Sequence, residues 1–164
     1  CNKIDNNTII EDFIDMYIQL KTKIPLKINS YSKIVKLHNL AIKKILAKKK
    51  NDKLLKIHEK YNFLIENLDK KYEVINSYNR LKLESIIQHN CVVSYESLVN
   101  NGDCIILSFI ENDKRYTIEI SKNRKKYIPI QFLGICNTEP EEKLVRQLDQ
   151  EIAEINKKKK KISQ

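Results

Sequence analysis

Cys104-Ile105-Ile106-Leu107-Ser108-Phe109-Ile110 and, after the break Glu111-Asn112-Asp113-Lys114, Arg115-Tyr116-Thr117-Ile118-Glu119-Ile120-Ser121 decide the fold class. The first run is almost wholly apolar and reads as a central strand buried on both faces. The second alternates with period two, placing Tyr116, Ile118 and Ile120 on one face and Thr117 and Glu119 on the other. Ser121 to Lys126 turns again, and Tyr127 to Leu133 forms a further strand in which Pro129 implies an edge or a bulge.

Outward from this sheet the period becomes helical. Upstream, Tyr72-Glu73-Val74-Ile75 is a short strand followed by a helix over 78–88. A second short helix follows Asn90 and stops before Gly102, a residue suited to the left-handed position after a helix. Downstream, Thr138-Glu139-Pro140-Glu141 reads as a capping box opening the last helix, whose core stripe is Leu144, Leu148, Ile152 and Ile155. Towards the N-terminus, Thr8-Ile9-Ile10-Glu11 is another capping box, leading into the stripe Ile10, Phe13, Tyr17 and Leu20. Pro25 ends that helix. Ile34, Leu37, Ala41 and Ile45 form a second stripe, and Leu54, Ile57, Tyr61, Leu64 and Leu68 a third. Lys48-Lys49-Lys50-Asn51-Asp52 is either the turn of a helical hairpin or the exposed face of one long helix.

The expected architecture is α+β. It has an N-terminal helical hairpin, short helices, a three- to four-stranded mainly antiparallel sheet and a C-terminal helix. The expected divisions are a helical leader (1–71), an α+β core (72–156) and a disordered basic tail (157–164). A chain of 164 residues suits one domain with a helical extension. Because it starts at Cys1, it reads as a piece of a longer protein.

The net charge is +10 but unevenly spread. Residues 1–71 hold sixteen Lys/Arg against eight Asp/Glu, 72–156 hold ten against thirteen, and the tail is +5. Lys43, Lys44, Lys48, Lys49 and Lys50, with the tail, are candidate contacts to DNA or RNA phosphates. The competing explanation is a solvated helix face enriched by the Lys-Ile-Asn bias of an AT-rich genome. Lys exceeds Arg and no aromatics interleave, so base-specific readout is not expected. Four cysteines without a CxxC pair exclude a secreted disulfide scaffold, and no apolar run spans a bilayer, so no membrane association is expected and the cytoplasm is the default compartment.

Leu81 to Val99 concentrates Glu84, His89, Cys91 and Tyr95. The order His89-Asn90-Cys91-Val92, Tyr95, Gly102, an apolar strand, Thr117-Ile118-Glu119, then Gln131, Gly134 and Asn137 resembles the PcfJ-like family. That family carries HxCV..Y, a Gly, an apolar strand, T-apolar-E and Q..G..N. Asp12-Phe13-Ile14-Asp15-Met16, Leu20, Pro25 and Leu37-His38 are similar to its helical leader. The resemblance implies a conjugative-plasmid, integrative-element or phage context, and other mobile-element proteins as partners, rather than a reaction. This chain departs from the pattern at Val93, where the family usually has a small residue. It departs again at Leu133, where a basic residue often precedes the glycine.

Three readings of the core follow. His89 and Cys91 lie about 200° apart on a regular helix, so a catalytic pair with Glu119 requires a break at Asn90. Otherwise Cys91 is a small buried hydrophobe and His89 fixes a turn. If the second and third strands pair, Thr117, Glu119 and Gln131 share a sheet face and beside His89 would make a polar pocket for a base, a sugar or a peptide amide; the alternative is an ordinary solvated face. Tyr95, one helical turn after Cys91, is a binding candidate that would cover that side chain, with core packing as the alternative. Gly134 and Asn137 suit the turn before the last helix, and His38 and His58 read as structural. A metal site joining His89 and Cys91 to Cys136 or Glu119 would have spacing unlike structural zinc, so no metal and no cofactor is expected. The functions left are an accessory or binding module associating with nucleic acid or a DNA-processing partner, an enzyme, or a non-catalytic interaction domain.

Overall fold

The computed structural model describes residues 10, 13–14, 16–18, 20–25, 27–47 and 52–162. The chain divides into two compact units, Cys1–Asp52 and Lys53–Gln164. In the first, the described residues between 10 and 20 are helical, and a longer helix, α1 (Tyr31–Ala47), follows. Phe13, Tyr17, Leu20 and Ala41 are buried together, with Ile34 and Leu37 against them, as the two stripes require. The first helix is left at Lys21 (φ 53), ahead of Pro25. The capping box at Thr8–Glu11 includes residues outside those described, and Lys48, Lys49 and Lys50 lie outside them altogether.

The second unit runs α2 (Asn62–Asn67), β1 (Tyr72–Val74), α3 (Tyr78–Gln88), a 3-10 turn (Val92–Tyr95) and α4 (Glu96–Asn101). It continues through β2 (Cys104–Glu111), β3 (Lys114–Asn123), β4 (Lys126–Leu133), a further 3-10 turn (Ile135–Asn137) and α5 (Glu142–Ile162), and another 3-10 turn (Glu59–Tyr61) leads into α2. The strands form one antiparallel sheet in the order β1-β2-β3-β4. The α+β class holds, with a four-stranded sheet and a C-terminal helix.

Period-two alternation gives this sheet two unlike faces. On one, Ile105, Leu107 and Phe109 of β2 pair with Ile120, Ile118 and Tyr116 of β3. These residues form one core with Tyr61, Leu64 and the α5 stripe Leu144, Leu148, Ile152 and Ile155. On the other, Cys104 and Ile106 join Leu55, Ile75, Leu81, Val92 and Val99. That face then turns polar at Ser108, Thr117 and Glu119. β2 is therefore buried on both sides. The β3–β4 register slips between Glu119 and Ile120, so Glu119 pairs with Gln131 while Ile120 pairs with Pro129. Ile130 is the extra residue of a bulge on an edge strand, where proline is tolerated.

The local structure differs from the sequence expectation in three places. The stripe Leu54–Leu68 is not one helix: Leu54 bridges Ser77, and the Leu55 and Lys56 amides donate to Asn76 O and Asn100 Oδ1. These distant acceptors hold the segment extended, so Leu55 is buried and Leu54 is 74% exposed. The Thr138 box does not open α5, because the Thr138 amide donates to Ile135 O. The helix starts at Glu142, with the Leu144 and Val145 amides on Glu141 O. Finally, α5 continues through the lysine run to Ile162 instead of fraying at Lys157. Lysine is a good helix former and a favourable charge at a helix C-terminus.

Gly102 closes α4 at φ 81, its amide donating to Val99 O and that of Asp103 to Leu98 O. A Cβ there would lie 2.9 Å from His58 Cβ and Cδ2. Gly102→Ala should therefore cost about 1–2 kcal/mol from the left-handed backbone alone, and more from the contact. Urea unfolding of the variant measures this, and an unchanged midpoint would contradict it.

Candidate functional site

α3 anchors the site. Ser77 caps it, the hydroxyl accepting from the Arg80 amide. Leu81, Glu84 and Gln88 follow at 3-4 spacing on its buried face. Two of the three are polar, which is costly unless they are paired. Glu84 is 1% exposed. Its Oε2 accepts from Arg115 Nη1 at 2.7 Å, and its Oε1 from the Thr117 hydroxyl at 2.9 Å. Arg115 also donates to Ser108 Oγ, and Gln88 Nε2 donates to Arg115 O at 2.9 Å. Burial pushes the Glu84 carboxyl above its ordinary value, while the Arg115 charge and the Thr117 hydroxyl pull the other way.

The helix stops at His89, which adopts φ 49, ψ 49. The His89 amide donates to Ile86 O and the Asn90 amide to Ser85 O, the two-bond Schellman closure. Asn90 then links helix and sheet. Its Oδ1 accepts from the Val92 amide at 3.1 Å, and its Nδ2 lies 3.4 Å from Thr117 Oγ1. The Ser85 hydroxyl donates to Asn90 O. The chain is thereby turned so that Cys91 emerges exposed.

Between this turn and the sheet lies a cleft lined by Asn90, Cys91, Val92, Tyr95, Ile106, Thr117, Glu119, Gln131, Leu133 and Asn137. Its innermost space is about 30 Å³, enough for about two water-sized groups. Val92, Ile106 and Thr117 are buried, Tyr95 and Glu119 half-buried, and Cys91, Gln131 and Asn137 exposed at the mouth. Burial raises the Glu119 carboxyl above its ordinary value. Burial also raises the Tyr95 phenol, with the Glu119 and Cys91 charges adding to the rise and a Gln131 hydrogen bond opposing it. Burial pushes the Cys104 thiol up to about 12, which removes it as a nucleophile. Among the described residues no group of three His, Cys, Asp or Glu side chains is placed to hold a metal ion.

The sequence-derived candidates separate cleanly. Cys91, Tyr95, Thr117, Glu119, Gln131 and Asn137 share the cleft wall, whereas His89 is not among the lining residues. The chain does break at His89–Asn90, but it is Asn90 that turns into the wall beside Cys91. Gly134 sits behind the wall: its amide donates to Thr138 O, and a Cβ would fall 2.7 Å from Thr138 Oγ1. Cys136 and Asn137 both have positive φ, which aims the following turn. His38 and His58 belong to packing, His58 Nδ1 accepting from the Lys60 amide. Lys44 is exposed, and the Lys43 side chain lies outside the description. The residues missed were Glu84, Ser108, Arg115 and Asn90 as a network. Its signal was the glutamate interrupting an apolar stripe, with Arg115 in phase with Thr117 and Glu119.

A mixed domain with a sheet between helices and a polar cleft at a helix–strand turn is the class that fold and site define. A family model, PcfJ-like protein, matches residues 9–160, and the chain belongs to that family. No curated protein and no solved structure matches it. No helix among the described residues is long and apolar enough to cross a membrane.

Glu84→Ala should cost about 3–5 kcal/mol, because it strands the Arg115 guanidinium in a largely buried site. Glu84→Gln, which keeps the shape and one acceptor oxygen for Arg115 but turns the other into a donor, should cost less. Denaturant titration separates the two, and equal losses would show that volume rather than charge matters. Glu119 holds its proton more tightly folded than unfolded. Its contribution to stability is thus present below the ordinary carboxylate range and is lost as pH rises through the folded value. Comparing unfolding midpoints at about pH 4 and about pH 7, Glu119→Gln should flatten the decline; an unchanged pH slope would disprove this.

Proposed function

We propose that this chain is a binding module of a mobile-element protein, associating with nucleic acid or a DNA-processing partner. Its cleft takes up a neutral or cationic N–H donor: a peptide amide, the amino edge of a base, or a guanidinium. The observation that carries this reading is the composition of the wall. It holds one carboxylate, Glu119, with the amides of Asn90, Gln131 and Asn137 and the Tyr95 phenol, and no Lys, Arg or His. A phosphate or carboxylate ligand would meet Glu119 without a counter-charge. An N–H donor would instead form a charge-assisted hydrogen bond with it and draw its raised pKa back towards the ordinary range. The Glu84–Arg115–Thr117 network behind the wall supplies rigidity, since every polar atom it uses already has a partner.

Titrating the isotopically labelled protein with acetamide, guanidinium and cytosine should move the backbone resonances of Tyr95, Glu119 and Gln131. Inorganic phosphate and acetate should leave them in place. Glu119→Gln should weaken the guanidinium response by about tenfold, the size of one charged hydrogen bond lost. Phosphate binding at the same residues would overturn the proposal.

A second reading draws on Cys91, which is exposed at the mouth on the same wall as Glu119, whose carboxyl burial raises above its ordinary value. Here the thiol is a nucleophile and Glu119 a proton donor. This reading requires alkylation of Cys91 to be faster at neutral pH than that of an unstructured cysteine peptide. A rate at or below the peptide's removes it.

A further inference from the structure

Two groups stand out among the cations of the second unit. Lys53, Lys71, Arg80, Lys114, Arg115 and Arg146 each pair with a carboxylate. At the other end of the sheet the β3–β4 hairpin carries Lys122, Arg124, Lys125 and Lys126, and the last turns of α5 carry Lys157 to Lys161. Neither segment contains an acid: residues 120–138 and 155–164 hold no Asp or Glu.

These segments are distant in sequence but fastened together. The Tyr127 amide donates to Asn156 Oδ1 at 2.8 Å, and Asn156 Nδ2 donates to Tyr127 O at 2.9 Å. The last helix is thus clamped to the start of β4 one residue before its lysine run. Lys159 Nζ donates to the Tyr127 hydroxyl at 2.6 Å and lies 4.2 Å from the ring centroid; Lys122 approaches the same ring at 5.7 Å. Two ammonium groups therefore share one buried aromatic, and burial together with Lys159 lowers the Lys122 pKa. Like charges held this closely repel each other, and a polyanion would relieve the repulsion.

We propose that the β3–β4 hairpin and the C-terminal turns of α5 form a docking platform for the phosphate backbone of duplex nucleic acid. The proposal rests on the nucleic-acid association put forward above and is independent of what occupies the cleft. Three features select this ligand. The lysines stand on a fixed helix rather than a tail, and the exposed Lys157, Lys160 and Lys161, at i, i+3 and i+4, share one face that can meet a regular array of phosphates. Tyr127, the aromatic of the platform, is 1% exposed, leaving no surface for bases to stack on and favouring a paired strand over a single one. The apolar stripe of α5 is already buried against the sheet, so the helix has no face left to insert into a lipid surface.

The test uses the full chain, a fluorescent 20-base-pair DNA duplex of arbitrary sequence, its RNA counterpart, and vesicles of phosphatidylcholine with phosphatidylserine. Binding to both duplexes should weaken with salt, with a log–log slope near −4 for about four or five phosphate contacts. Arg124→Glu with Lys125→Glu, and separately Lys157→Glu with Lys160→Glu, should each weaken binding about tenfold and reduce that slope by about 1–2. Lys48→Glu with Lys49→Glu, the same charge change in the leader, should shift affinity less than about twofold. The matching glutamine variants should show the same order, which keeps the test valid if a glutamate variant unfolds. Duplex binding with equal losses in leader and platform variants, or none in the platform, would overturn the platform alone. A chain that binds neither duplex, or prefers the vesicles, would overturn the nucleic-acid association as well.

Discussion

A carboxylate and a guanidinium buried between helix and sheet set the conditions for the rest of the core. Glu84 and Arg115 reach each other only when α3 lies across β3 in one register, and Thr117 and Ser108 then complete the carboxylate and guanidinium shells. A slip of one residue in β3 would send Arg115, Thr117 and Glu119 to the hydrophobic side and leave Glu84 unpaired. Apolar burial alone would tolerate several packings of α3. The ion pair rejects them, because an unpartnered charge at that depth costs more than any gain in packing.

From that constraint the cleft follows. α3 ends where its polar face meets β3, and the Schellman closure at His89 turns the chain sharply enough for Asn90 to reach both Val92 and Thr117. The wall therefore begins two residues after the helix and continues on the polar face of β3 and β4. The opposite face of the sheet has no such detail: its aromatics and aliphatics pack against α5 and supply the bulk of the burial. One face holds the unit together while the other positions polar groups.

How far this was legible in the sequence depended on the range of the interactions. Period-two alternation in Arg115–Ser121 and the proline in Tyr127–Leu133 are local, so the strands and the shared face of Thr117 and Glu119 could be read directly, whereas Pro129 alone left edge and bulge open and Gln131 reaches Glu119 only through the β3–β4 pairing. The helix over 78–88 and the stop at Gly102 were equally local. The segment after Asp52 was not, because its apolar spacing fits a helix and only acceptors at Asn76 and Asn100 hold it extended. The lysine run likewise reads as a solvated tail until Tyr127, some thirty residues away in sequence, is seen to receive Lys159. His89 looked like the partner of Cys91 because two reactive side chains stood together, but its left-handed backbone makes it the pivot of a turn and gives the wall position to Asn90.

The bulge in β4 has a consequence for how this protein can meet other chains. Pro129 offers no amide, and Ile130 breaks the regular row of donors and acceptors along the outer strand. At the opposite margin β1 is only three residues long. Both borders of the sheet are thus poor templates for an added strand, so neither a second copy nor an extended peptide can readily lengthen it. Contacts with other molecules are left to the helix surfaces, the turns and the open cleft, where side chains rather than backbone decide what is accepted.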